Sequence, residues 1–269
     1  MVMPMLRKGC AIAGAICCIV TICCIAAIAN RSPKATDSEQ LTAAASRSSV
    51  ISVARLLALG VDPNGLDRDG RTPLQCAAAS GSMMIVRLLL AAGASVRMRS
   101  PDGYSALHAV AVNRNASIAK LLLAKGADVN AKTTNGVTPL MATIGSPYSD
   151  SEMALIFIRA GADVNAVDSE GETVLCTAVV EQSSAVVEEL LKRGANPNVR
   201  SKSIGFPGYT PLHMAALNGL ATTVNLLLRY GADPSIRNDE GETPIDITNV
   251  KFGQVREMLS KALRSRTDK

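Results

Sequence analysis

The sequence predicts an all-α fold: an extended solenoid of stacked helix-turn-helix units with projecting β-hairpin loops. Three recurring features carry that expectation. Turn glycines Gly70, Gly103, Gly136, Gly171, Gly208 and Gly241 stand 33, 33, 35, 37 and 33 residues apart, and self-similarity at such a period marks a stack of supersecondary units. Just after them come Thr72-Pro73-Leu74, Ser105-Ala106-Leu107, Thr138-Pro139-Leu140, Thr173-Val174-Leu175, Thr210-Pro211-Leu212 and Thr243-Pro244-Ile245. A second series, Gly60, Gly93, Gly126, Gly161, Gly194 and Gly231, closes each unit. With aromatics at 3% and no Trp, the apolar content rests on Ala and Leu. That suits thin, closely packed helices and argues against a sandwich or barrel.

The first element is apolar. Arg7 and Lys8 precede an uncharged stretch, Gly9 to Ala29, built from Ala, Ile, Cys, Val, Thr and Gly. Two readings of residues 1–29 fit. One is a cleaved signal peptide with Ala27-Ile28-Ala29 as its small-x-small site; the other is a membrane anchor, since about 20 apolar residues span a bilayer. Ile16 and Ile22 argue against a lipoprotein, because a small residue should precede the modified Cys17 or Cys23. Either main reading exports the rest of the chain (periplasmic or secreted) or tethers it to the cytoplasmic membrane. Arg31 and Lys34 on the far flank weaken an outside orientation. Membrane contact is expected only through residues 9–29, if uncleaved.

Residues 30–38 read as a polar linker, residues 39–263 as the folded domain and residues 264–269 as a polar tail. Within each unit, Thr before Pro marks a helix start: the hydroxyl caps free amides, and Pro suits the first helical position. The second helix ends in an apolar run, as in Leu88-Leu89-Leu90, Leu121-Leu122-Leu123, Ile156-Phe157-Ile158 and Leu226-Leu227-Leu228. The glycine that follows accepts a left-handed cap without a Cβ penalty. The polar stretch between, such as Asp128 through Gly136, reads as a projecting hairpin.

On these residues the chain resembles the ankyrin-repeat proteins. Asp102-Gly103 through Leu107-His108-Ala109 to Gly126-Ala127-Asp128-Val129-Asn130-Ala131 follows that family's pattern closely. Five full units cover Asp67 to Ile236, a helical half-unit at Glu39–Gly60 opens the stack, and Arg237–Leu263 closes it as a degenerate cap. Ala106 and Val174 replace Pro, and Met141 and Cys176 stand at the His position. Two insertions break the period, Gly145–Asp150 by two residues and Ser203–Tyr209 by four.

Chemistry is sparse. His108 and His213 lie three units apart, roughly 30 Å at a helix spacing near 10 Å, so they cannot share a ligand; the resemblance implies that each imidazole bonds neighbouring backbone. Cys76 and Cys176 are too distant for a disulfide and read as buried small hydrophobes. No metal-binding, phosphate-binding or nucleophile motif occurs, so no catalytic residue, metal site or cofactor is expected and the chain does not read as an enzyme. A net charge of +5 is too small and scattered for a nucleic-acid binder. Asn30-Arg31-Ser32 and Asn115-Ala116-Ser117 match glycosylation sequons.

What remains is surface. The resemblance implies a monomer that docks a protein partner on the concave side, formed by hairpin tips and first helices. Its variable contact positions fall here on Arg68, Asp69, Arg71, Ala79, Ser80, Pro101, Asp102, Tyr104, Val112, Asn113, Thr134, Asn135, Val137, Ser169, Glu170, Glu172, Val180, Glu181, Tyr209, Leu217, Asn218, Asp239, Glu240 and Glu242. The position after each turn glycine forms a ladder: Arg71, Tyr104, Val137, Glu172, Tyr209, Glu242. Between Ser38 and Ala131, ten basic residues oppose six acidic, a balance of +4; between Lys132 and Val199, four oppose nine, a balance of −5. A partner with a complementary charge split would be steered into register. Phe206, in the hairpin insertion, and the tip tyrosines are the expected anchors.

Overall fold

The computed structural model describes residues 35–144, 151–202 and 205–267. The apolar segment 1–29, the insertion at 145–150 and Ser203 and Ile204 of the second insertion therefore lie outside the described residues. Among the described residues no helix is long and apolar enough to cross a membrane. The chain divides into two compact units, before and after the Asp128–Val129 bond.

The first unit holds α1 (Ala35–Ser46), α2 (Val50–Ala58), α3 (Pro73–Ala79), α4 (Met83–Ala91), α5 (Ala106–Asn113) and α6 (Ala116–Ala124). Consecutive helices pair as hairpins, while α1, α3 and α5 pack side by side in one layer and α2, α4 and α6 in another. Leu41, Leu74, Leu107, Ile85, Leu89 and Leu122 fill the space between the layers, each no more than 1% exposed.

The second unit repeats this plan with α7 (Pro139–Ile144), α8 (Ser151–Arg159), α9 (Val174–Val180), α10 (Ser184–Lys192), α11 (Pro211–Leu217) and α12 (Ala221–Arg229), and α13 (Gly253–Thr267) closes it against α12. Leu140, Phe157, Leu190, Leu212 and Leu227 are fully buried. In every apolar triplet the middle residue is fully buried: Leu89, Leu122, Phe157 and Leu227 all have 0% exposure. Burying such a side chain contributes about 1.5–3 kcal/mol.

The helix starts fall where the Thr/Ser-Pro-Leu pattern places them. Thr72 accepts the Gln75 N–H at 3.1 Å, and Ser105, Thr173 and Thr210 cap their helices in the same way. Gly93, at φ 92°, ends α4; Gly70, at φ 72°, turns the first hairpin, and a Cβ there would collide with the Pro101 ring.

Four details differ from the sequence reading. The first helix begins at Ala35, inside the stretch read as a linker to residue 38. Asp37 sits in its first turn, where a carboxylate favours the positive helix end, and the Ser38 carbonyl already accepts from the Thr42 hydroxyl at 2.9 Å. At the other end α13 runs to Thr267 through most of the expected tail, with its own Val255 and Leu259 buried and Arg264 in the last turn complementing its C-terminal dipole. The projecting hairpins are turns rather than ladders: among the described residues, bridges form only as the isolated pairs Arg99–Ser105 and Val167–Thr173. Finally, the closing repeat has no first helix. Thr243 to Thr248 make a single turn, whose carbonyls at Ile245 and Thr248 are taken by the Arg256 guanidinium at 3.2 and 2.9 Å.

Candidate functional site

Each hairpin tip is closed by one backbone bond of the same register. The N–H of Asp67 donates to Arg71, Ser100 to Tyr104, Thr133 to Val137, Asp168 to Glu172, Ser201 to Tyr209 and Asn238 to Glu242, at 2.8–3.2 Å. The inserted hairpin keeps this closure, at Ser201 and Tyr209. In the five full repeats the residue after the turn glycine is thereby held at the mouth of a first helix.

Behind each tip lies the reason the N-cap tripeptide recurs. Where Gln75 and His213 stand three residues after the cap, the side chain accepts the cap's own backbone N–H and reaches on to the next repeat. Gln75 accepts from Thr72 at 2.7 Å and donates to the Tyr104 carbonyl at 2.5 Å. His213 accepts from the Thr210 N–H at 3.2 Å through Nδ1, which leaves Nε2–H to donate to the Glu242 carbonyl at 3.1 Å. His108 accepts from Ser105 at 3.1 Å. Both imidazoles are therefore caps, 0% exposed, in the structural role that the sequence reading gave them. Burial holds the His213 pKa below its usual value, with the Arg200 cation pushing the same way against the Glu242 carbonyl. Cys176 fills the same position and stays a thiol: burial pushes it up to about 11. Cys76, one residue further on in its own repeat, is also a buried free thiol raised by burial.

The candidate contact residues are treated unequally. Arg71 is tied to Asp67 and Asp69 at 3.0 and 2.9 Å, and the Asp67 bond makes its guanidinium still more basic. Arg68, 82% exposed, pairs with Glu39 of α1 at 2.8 Å. With Thr42 and Ser46 these residues line an open groove of about 290 Å³. Asp102 accepts from the Ser100 hydroxyl, which lowers its pKa. Asn113 turns back to the Ala109 carbonyl at 2.9 Å. In the second unit, Glu172 accepts from the Ser201 hydroxyl and Glu242 from the Asn238 amide at 3.1 Å; Val137 is half-buried. The charged ladder residues are thus bonded at the tips, Arg71 and Glu242 within their own and Glu172 to the next, whereas Glu170 and Glu240, one residue before the turn glycines, are exposed.

The tyrosines differ from the exposed anchors that the sequence suggested. Tyr104 is half-buried and tilted against His108 at 5.1 Å, and burial raises its phenol pKa. Tyr209 lies between His213 at 5.4 Å and Phe206, edge-on at 5.4 Å. Phe206 covers that stack and is still 39% exposed. Each tip ring rests on a capping imidazole.

Two features escaped sequence reasoning. Asparagines in the turns after the closing glycines join repeats: Asn64, Asn165 and Asn198 each donate to the carbonyl of the next unit's closing glycine and accept the N–H two residues beyond it. Their regular spacing was the available signal. Asn115, read as a sequon, caps α6 by accepting the Ile118 N–H at 3.1 Å and donating to the Gly81 carbonyl at 3.3 Å, so its amide is already engaged.

Comparisons with known proteins follow this geometry. Family models described as ankyrin repeats match residues 41–133, 130–201 and 206–247. No curated protein matches. Among solved structures, the ankyrin-repeat domain of Bcl-3, described as a unique member of the IkappaB protein family, is 30% identical with a TM-score of 0.69, covering 82% of this chain and 97% of that one. The human ASB11 ankyrin-repeat domain shares the fold at 24% identity and a TM-score of 0.66, covering 86% of this chain and 98% of that one. With family models matching most of its length and both helix layers built as they require, this chain belongs to the ankyrin-repeat family.

Proposed function

We propose that the protein is a non-catalytic, exported binding module that docks a protein partner along its tips and first helices. The family typically serves protein interaction. The observation that carries the reading is the fate of its side chains. The groups with catalytic potential, His108, His213 and Cys176, are buried in helix caps, while apolar side chains stay exposed at one repeat position, Val112 at 51%, Val180 at 45% and Leu217 at 38%. Arg68, Tyr104, Phe206 and Tyr209 are the other proposed contacts. A partner spanning several repeats would also rigidify a stack held by nearest-neighbour interfaces. With the Arg7–Ala29 segment acting as export signal, an envelope enzyme that the module inhibits, confers immunity against or protects is the partner class that fits.

The double change Tyr104→Ala with Tyr209→Ala tests the docking face. It should cost about 2 kcal/mol or more of partner affinity, and an unchanged affinity would refute the anchors. Export is tested by fractionating cells that express the full chain and weighing the intact protein: a soluble species beginning at Asn30 is expected. A second reading, a membrane-anchored scaffold with its repeats facing the cytoplasm, draws on Arg31 and Lys34. A topology reporter fused after Lys269 separates the two.

A further inference from the structure

At the far end of the first helices in the second unit, Val180 and Leu217 close α9 and α11, 45% and 38% exposed, and Val250 takes the equivalent place in the closing repeat at 84%. The α9 and α11 helices pack side by side. Gly219, just past α11, has no room for a Cβ because the Phe252 ring covers it, which sets the turn carrying Val250 beside the end of α11. Three successive repeats thus present an apolar side chain at one register, where solvent-facing residues are ordinarily polar.

Charge around this row is not balanced. Glu181 follows Val180, and Glu170 and Glu240 stand exposed at two of the tips; among the described residues none of the three has an ion-pair partner. Glu172 and Glu242 on the same tips bond only a hydroxyl and an amide and keep their charge too. Of the neighbouring cations, Arg200 is paired with Asp239 at 2.5 Å, while Lys202, Arg237 on the Gly241 carbonyl and Lys251 over the Phe252 ring have no carboxylate partner among the described residues. Five carboxylates without an ion pair against three such cations favour a cationic partner.

The spacing selects the partner's shape. Neighbouring helices pack about 8–10 Å apart, and an α-helix rises about 1.5 Å per residue, so one repeat step matches roughly seven residues of a helix laid across the stack. Side chains seven apart share one helix face. The tips lie one short helix away from the row, about 10 Å, comparable with the width of a helix. From this we infer that the Val180–Leu217–Val250 row docks an amphipathic, basic α-helical segment of the protein partner, its apolar face on the row and its basic flank toward Glu170 and Glu240. The inference rests on the docking reading above and adds the partner's chemical class.

The probe is a synthetic helix of about 18 residues with Leu at every seventh position and Lys along one flank, titrated into the full chain and read by fluorescence anisotropy. It should bind at least about tenfold more tightly than the same helix carrying Glu for Lys, and scrambling the Leu positions should abolish binding. Leu217→Ser, at an exposed site, should weaken the basic helix about fivefold or more. The triple change Glu170→Gln, Glu181→Gln and Glu240→Gln should weaken it about tenfold, with a loss of salt sensitivity. Equal affinity for the acidic or scrambled helix, no binding, or indifference to Leu217→Ser would overturn the inference. If the basic helix fails while Tyr104→Ala with Tyr209→Ala still costs partner affinity, the docking face stands and only the partner class falls. If both fail, the broader reading falls with it.

Discussion

Asn165 donates its side-chain amide to the Gly194 carbonyl at 3.0 Å while its own carbonyl oxygen accepts the Asn196 N–H at 2.8 Å, so one side chain satisfies both sides of the next repeat's closing turn. Asn198 repeats the pair with Gly231 and Asp233 at 3.1 and 2.7 Å. Where Arg97 stands in the same register, it makes one bond, to the Gly126 carbonyl at 3.2 Å, and a guanidinium has no acceptor for the second.

Removing such a rung should be measurable. Each exposed bond is worth about 0.5–1.5 kcal/mol net, so Asn165→Ala should lower unfolding free energy by about 1–2 kcal/mol in urea. Arg97→Asn should raise it by up to about 1 kcal/mol. A destabilised Arg97→Asn would show that the arginine's remaining contacts outweigh the completed pair.

His213 makes stability depend on pH. Its folded pKa lies below the ordinary 6.5 because the ring is buried. Above that value the residue is neutral in both states and stability is full. As pH falls through 6.5 the unfolded chain takes up the proton first, and stability declines until the folded pKa is passed. Gln75 shows that an amide can make both bonds at this position. The variant His213→Gln should therefore gain on the wild type as the urea midpoint is followed from pH ~7 to ~5. Parallel curves would assign the pH dependence elsewhere.

The thiol of Cys176, raised to about 11, and that of Cys76, also raised by burial, should resist iodoacetamide at pH ~8, because the thiolate is the reactive species. Peptide mapping should find both unmodified in the folded protein and alkylated in denaturant. Rapid native labelling of Cys176 would mean that the fourth repeat opens locally.

Gln182 ends α9's turn at φ 57°, where Gly81 and Gly219 occupy the corresponding turns at 71° and 68°. A left-handed residue with a Cβ costs roughly 1–2 kcal/mol, against about 0.4–1 kcal/mol of extra chain entropy for glycine. Gln182→Gly should therefore stabilise by about 0.5–1 kcal/mol. A lower melting temperature would show that the glutamine side chain holds something the turn needs.

Much of this architecture is legible in the linear chain because its signals are local. Thr72 and Gln75 are three residues apart, and a left-handed glycine needs no partner to be recognised. What escaped reading depends on neighbours one repeat away. Nothing around Asn165 reveals that it will meet Gly194, and nothing around Tyr104 reveals that the imidazole at position 108 will lie under its ring. The charge ladder misled for the same reason: Glu172 looks like a free tip carboxylate until Ser201, 29 residues on, is folded against it. The repeat register marks Val180 and Leu217 as equivalent contact positions but passes over Val250, and only the fold puts Val250 at the same place in the closing repeat, 84% exposed.

The asparagine rungs also make the repeat a unit of inheritance. Excising residues 166–198 would begin just after one rung and end on the next, leaving Asn165 to meet the Gly231 turn that Asn198 now holds. The join would restore the same pair of bonds without any compensating substitution. A gene encoding such a chain can lengthen or shorten by whole repeats and yield a foldable product at each step, so the reach of its docking face can be reset by recombination alone.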